Sequence, residues 1–325
     1  IKNYKRETLQ ETYKLIEQDL IEGLALVRDE YDQPKFHFGT KASNAFASRF
    51  YLYKADWAKV IEHANKAIGT GDPSLEIRDF VSSSVRTLSY SQTTELYSAS
   101  REKANLLIGW VNSLYARNYA TTRYGLSSDK ADQLLGNRGN PFKKNWGYRL
   151  FGTDLVFNLP KYTEYFRLTN ASAGIGFPFA SIIHFTTDEV LLNRAEANAM
   201  LGKFTEASDD LKAFLSQKTL GFDASTDNID LGVMKATFSK VANEYTPFYT
   251  LTDDQLVFVK GIAEFRRREF LHEGHRWFDV KRFNLEVTHK VFNQDTPIIL
   301  KKDDLRRAVQ LPEAVLAFGV VANKR

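Results

Sequence analysis

Leu191-Leu192-Asn193-Arg194-Ala195-Glu196-Ala197-Asn198-Ala199-Met200-Leu201-Gly202-Lys203-Phe204-Thr205-Glu206-Ala207-Ser208-Asp209-Asp210-Leu211-Lys212-Ala213-Phe214-Leu215 is the stretch that decides how this chain folds. Leu191, Ala195 and Ala199 recur at helical spacing, Gly202 breaks the pattern, and Phe204 opens a second helix. Ala207, Leu211, Phe214 and Leu215 then follow Phe204 at offsets of 3, 7, 10 and 11. Trp57 is followed by Val60, Ala64, Ala67 and Ile68 at the same four offsets, 147 residues upstream. A helix carrying Ala42, Phe46, Phe50 and Tyr53 on one side precedes it, so both places read as a pair of short antiparallel helices. An aromatic three residues before a small apolar residue is the pattern of a tetratricopeptide-like pair. The ring fills the gap between helices and the small residue lets the backbones approach.

Working outward, Leu9, Tyr13, Ile16, Leu20, Leu24 and Val27 predict a long amphipathic helix over 7–27. Asp72–Ser100, rich in Ser and Thr, reads as loop with a short strand around Tyr90 and Tyr97. Leu107, Trp110, Val111 and Leu114 predict a helix over Lys103–Tyr119. Arg123–Thr187 holds many Gly, Asn and Pro residues and little periodicity, so it reads as a long excursion from a helical scaffold. A last helix is expected over Asp254–Leu271.

The 325 residues carry a net charge of +4, with 43% hydrophobic and 26% charged residues. This ordinary globular balance lacks the basic stripe that a nucleic-acid-binding chain concentrates. Disorder is excluded by 4 Trp, 15 Tyr and 24 Phe. Without any cysteine there are no disulfides, thiol nucleophiles or cysteine metal sites. The longest uncharged apolar run, Ala314–Ala322, is far short of the roughly 18 residues of a membrane span. Ile1-Lys2-Asn3 has neither an initiator Met nor an apolar signal core, and reads as the start of a piece of something longer.

Tests for chemistry promote no catalytic residue. In His272-Glu273-Gly274-His275 the histidines are three apart, not four, so the zinc-helix geometry is missed. Asp223, Asp227 and Asp230 lack the alternating spacing of a calcium loop. Gly174-Ile175-Gly176 lacks the third glycine of a dinucleotide loop. No metal or cofactor is therefore expected. The run Glu264-Phe265-Arg266-Arg267-Arg268-Glu269 reads as arginines tying a helix to its neighbours, with Glu264 and Arg268 in register for an ion pair.

Ile262-Ala263-Glu264-Phe265-Arg266-Arg267-Arg268-Glu269-Phe270-Leu271-His272-Glu273-Gly274-His275-Arg276-Trp277-Phe278-Asp279-Val280-Lys281-Arg282 closely resembles the C-terminal signature of the SusD/RagB family. Ala42–Ile68 and Asp188–Leu215, the latter with Arg194-Ala195-Glu196-Ala197, resemble that family's early and later helical pairs. Gln310-Leu311-Pro312-Glu313 resembles its closing segment. Phe265 departs from the pattern, standing where a charged residue is more usual.

The resemblance implies an all-α, SusD-like scaffold of tetratricopeptide-like pairs with an irregular ligand-binding excursion. One helical domain, N-terminally incomplete, is expected over 1–325, with first helices in 7–70, the excursion in 72–187, and the later pair, signature and closing segment in 188–325. It further implies a cell-surface protein of the outer membrane in Bacteroidota, held there only through a lipid anchor outside this chain. Such a protein captures oligosaccharides and hands them to a SusC-like TonB-dependent transporter. The alternatives are a peptide-binding member of the family and a tetratricopeptide-type adaptor for a protein partner.

For the ligand site the segment Asn145-Trp146-Gly147-Tyr148-Arg149 stands out, a Trp in a polar stretch without helical period. A ring face accepts the CH patch of a pyranose, while amide and guanidinium groups bond hydroxyls. Trp146, Tyr148, Asn145 and Arg149 are the expected ligand-binding residues, with Arg123 and Tyr124 from the preceding loop. The competing reading has Trp146 anchoring its loop to the core. Trp57 and Trp110 fall on helical stripes and are expected to be packed, as are Trp277 and Phe278. Tyr90 and Tyr97 rank below.

Overall fold

A computed structural model describes residues 7–69, 71–113, 125–153, 156–291 and 294–325. Helix α1 (Leu9–Leu24) leads to α2 (Thr40–Lys54) and α3 (Trp57–Ile68). Short helices α4 (Ser83–Arg86) and α5 (Tyr90–Ser98) precede strand β1 (Asn105–Asn112). Next come α6 (Ser128–Leu135), the strands β2 (Phe151–Thr153), β3 (Val156–Asn158), β4 (Glu164–Asn170) and β5 (Ile175–Thr186), and the pair α7 (Thr187–Met200) and α8 (Phe204–Ser216). The chain closes with α9 (Leu231–Thr237), α10 (Asp253–Glu269), α11 (His275–Arg282), the strands β6 (Val287–His289) and β7 (Ile298–Leu300), and α12 (Glu313–Leu316).

Both helical pairs form where the repeated offsets put them. Val60, Ala64, Ala67 and Ile68 of α3 are buried, and so are Ala207, Leu211, Phe214 and Leu215 of α8. Ala55, at φ 62°, turns the chain between α2 and α3, and Gly202, at φ 74°, does so between α7 and α8. Helix α7 packs on α8 within its pair, on α2 and α3 of the other, and on α10. Being covered on nearly every side, it has no amphipathic stripe, and its Ala195, Ala197 and Ala199 permit close approach. The main core gathers Ile68, Leu107, Leu191, Leu211, Phe214, Phe258 and Phe265. No helix among the described residues is long and apolar enough to cross a membrane.

A charged knot lies inside this core. Lys218, wholly buried, pairs with Asp188 at 2.7 Å and Glu269 at 3.4 Å, and donates to the Arg78 carbonyl at 2.6 Å. Buried charges persist when paired and hydrogen-bonded in this way.

Several expected elements are corrected. Residues 105–112 are a strand, not a helix, and β1 pairs antiparallel with β5, Trp110 facing Ser181 and Asn112 facing Phe179. Leu107, Trp110 and Val111 mimic a helical stripe by chance. The segment's Ile108 and Val111 are β-branched, and Gly109 weakens a helix interior. Leu114 and Tyr119, the rest of that expected helix, lie outside the described residues.

Tyr90–Ser98 is a helix rather than a strand, started by a capping box between Ser89 and Gln92. The excursion is also more regular than expected, with α6, the β2–β3 hairpin and a three-stranded sheet in the order β1-β5-β4. At the chain start Tyr13, Ile16, Leu20 and Leu24 do pack against α2's cluster, but Leu9 stays 75% exposed.

Candidate functional site

Trp146 anchors its loop in the core instead of offering a platform. Only 3% of it is exposed, its ring sits edge-on to Phe265 with centroids 6.0 Å apart, and its Nε1–H donates to the Arg138 carbonyl at 3.3 Å. The backbone explains why. Segment 145–147 pairs with 218–220, through Gly147 N–H to the Lys218 carbonyl at 2.7 Å and Leu220 N–H to the Asn145 carbonyl at 2.9 Å. A side chain at Gly147 would meet the Phe80 carbonyl at 2.7 Å, so only glycine lets the segment lie this close. Phe265, the departure from the signature, is where the rings of Trp146, Phe214 and Phe238 converge.

The other expected ligand residues divide. Tyr148 is buried and donates to Glu269 Oε2 at 2.8 Å, with burial pushing its phenol well above the usual range. Arg149 donates to the Leu88 carbonyl at 2.7 Å and lies over the Phe151 ring. Asn145 is exposed. Arg123 and Tyr124 lie outside the described residues. With Trp146 and Tyr148 covered, this segment has no free ring face to stack on a sugar.

Signature residues form a buried tie between helices. Arg282 of α11 makes a fork onto Glu196 of α7, with NH2 to Oε2 at 2.8 Å, and its Nε reaches Asp279 at 2.9 Å. Asp279 also faces Arg266, whose NH1 donates to Asn193 at 2.7 Å. Arg268 pairs with Glu264 at 3.2 Å, in the expected register, and its Nε donates to the Leu134 carbonyl at 2.7 Å. Trp277 is half-buried beside Val280 and Phe283, but Phe278 is 51% exposed, contrary to expectation.

His272 and His275 are turned to separate tasks. His272 Nε2 accepts the Leu159 N–H at 3.3 Å, while the His275 ring stacks on Phe270. The acidic loop is consumed by its own fold, since Asp227 takes Lys144 at 2.6 Å, Asp223 binds Ser225, and Asp230 caps α9. Among the described residues no cluster of His, Asp and Glu is arranged to hold a metal ion.

Exposed rings gather elsewhere, on the three-stranded sheet. Trp110 is 59% exposed, because it and Asn112 take the alternate, solvent-facing positions at the outer end of β1. Phe36, from the turn before α2, meets it edge-on at 6.0 Å. Phe179 lies 5.4 Å from Trp110 as well, and Tyr165, paired with Phe179 across β4 and β5, stacks on that ring at 5.4 Å. Phe36, Trp110, Phe179 and Tyr165 thus form one continuous strip of rings, three of them exposed and Phe179 half-buried. Asn112, directly opposite Phe179, adds an exposed amide beside it. The helical reading of 103–119 hid this strip. Period-two alternation through Trp110–Asn112 and Phe177–Phe179 is the signal that a strand reading would have used.

The architecture is that of a helical-pair scaffold carrying a ring-faced sheet. Residues 185–306 match the model of the SusD family, and residues 2–52 match a SusD-like model described as starch-binding, associating with the outer membrane. The stretches 2–52 and 185–306 are thus each similar to SusD-type families. A SusD superfamily protein from Bacteroides thetaiotaomicron superposes with a TM-score of 0.62 at 17% identity, over 98% of this chain and 67% of that one. One from Bacteroides vulgatus gives 0.62 at 18%, over 99% and 66%. A SusD-like carbohydrate binding protein from Bacteroides vulgatus gives 0.50 at 17%, over 91% and 58%. The chain thus spans about two thirds or less of the length of these structures. No curated protein matches it.

Proposed function

We propose that this chain is a cell-surface glycan-binding protein of the outer membrane that captures oligosaccharides and delivers them to a TonB-dependent transporter. The observation that carries the binding step is the strip Phe36–Trp110–Phe179–Tyr165. The rings pack on one another edge-on, tilted and stacked at 5.4 to 6.0 Å, and the outward surfaces of Phe36, Trp110 and Tyr165 form one exposed apolar patch for the CH faces of a sugar chain. Asn112 supplies hydroxyl partners at the edge. An open strip of this kind holds ligand loosely, which suits handover, since differences in affinity lie mostly in the off-rate. Similarity to the SusD/RagB family supports the location and the transporter partner, and a family model's description supports a polysaccharide as ligand.

Native affinity electrophoresis against a panel of neutral polysaccharides tests this, with Trp110→Ala run beside the parent protein. The expected result is retardation by at least one polymer, weakened about tenfold in the variant, which corresponds to ~1.4 kcal/mol. Absence of retardation by every polymer would contradict the glycan reading.

A further inference from the structure

A cavity of about 270 Å³ opens between α2, β5 and the loop leading into α11, and shares no residue with the ring strip. Its volume falls near the small end of ligand sites and suits one ring rather than a chain. The charges at its wall are already matched within the protein. Arg49 grips Glu189 through Nε–Oε1 at 2.6 Å and a second N–H on Oε2, and Lys161 is bonded to Glu273. An anionic or cationic ligand would have to break one of these part-buried pairs, whereas a neutral one leaves both intact.

Its remaining surface is amphipathic. Tyr53 and Phe278 stack with centroids 5.8 Å apart and ring planes 17° apart, and half of Phe278 is open to solvent. The imidazoles of His184 and His275, which also line the cavity, carry nitrogens able to donate or accept. An apolar ring wall and imidazole nitrogens lining one charge-balanced pocket match a hydroxyl-rich ring with one CH face.

We propose that this cavity is a second binding site that takes a single neutral sugar ring, such as the terminal residue of a captured chain. The assignment rests on the carbohydrate-binding reading above. It adds end recognition to the internal stacking that the strip provides.

Saturation-transfer NMR with glucose, galactose, mannose and glucuronate as separate probes tests it. Wild type, Phe278→Ala and His184→Ala are compared, each first checked for native circular dichroism. The expected result is transfer to at least one neutral hexose, reduced fivefold or more in whichever variant folds, with glucuronate weaker than that hexose. Equal transfer in wild type and variants, or none to any hexose, overturns the pocket. If the wild type is nevertheless retarded in the polysaccharide gels, the glycan reading survives that failure; if it is not, both fall. Stronger transfer to glucuronate overturns the neutral class.

Discussion

At the scale of single residues, two side chains carry opposite lessons. Glu196 sits in the Arg194-Ala195-Glu196-Ala197 run and Arg282 closes the signature, 86 positions apart, yet they meet in a buried fork. Both are desolvated, and Glu196, completely buried, depends on Arg282 for its charge to be tolerated, whereas Arg282 also holds Asp279. Removing one partner of a buried pair leaves an unpaired charge and costs roughly 3–5 kcal/mol. Arg282→Ala, which leaves Glu196 buried without its cation, is therefore expected to lower unfolding stability by about that amount in urea titration. A loss under about 0.5 kcal/mol would mean that the fork ties nothing together. The arginine-rich helix was legible in sequence as architecture, because Glu264 and Arg268 stand at pairing distance along it. Which distant acid Arg282 takes was not, since a contact across 86 residues leaves no local period.

Trp146 carries the other lesson. Its neighbours Asn145, Tyr148 and Arg149 compose a sugar-binding kit by residue type. Type alone does not say whether a ring points in or out. The deciding interaction is backbone pairing with 218–220, which involves no side-chain pattern at all.

At the scale of elements, legibility follows the length of the repeat. The helices of both pairs span three or more turns, so their apolar offsets recur often enough to be diagnostic. In β1 a run of only eight residues holds Leu107, Trp110 and Val111 at spacings that either period can claim. Tertiary pairing with β5 decides, and Trp110 moves from an expected buried stripe to an exposed face. Helix α5 was missed for a related reason. Its Ser and Thr residues read as loop, although Ser89 and Gln92 form the capping box that starts it.

At the scale of the whole molecule, protonation links these parts to stability. His63, His184, His272 and His275 all have their pKa lowered, in each case chiefly by burial, and His272 falls from 6.5 to about 4. The unfolded chain takes up these protons near pH 6.5, and the folded chain only lower, so folding stability drops as pH falls from about 6.5 toward 4. Protonating His272 also removes the acceptor that holds the Leu159 N–H. Carboxylates held low by cation partners, such as Glu189, Glu273 and Asp279, extend the loss further into acid. Urea midpoints measured between pH 7 and 4 should decline across this window, less steeply in His272→Gln. A midpoint that is flat from pH 6.5 to 4.5 would contradict this linkage.

The central claim is that the sheet, not the Trp146 loop, presents the sugar-binding face. Isothermal titration of the polymer that retards the wild type, comparing Trp110→Ala with Trp146→Phe, puts it to the most direct test. Trp110→Ala is predicted to lose about tenfold in affinity with unchanged thermal stability, and Trp146→Phe to keep its affinity while melting earlier. Affinity lost in Trp146→Phe and kept in Trp110→Ala would contradict the account and return the site to the loop.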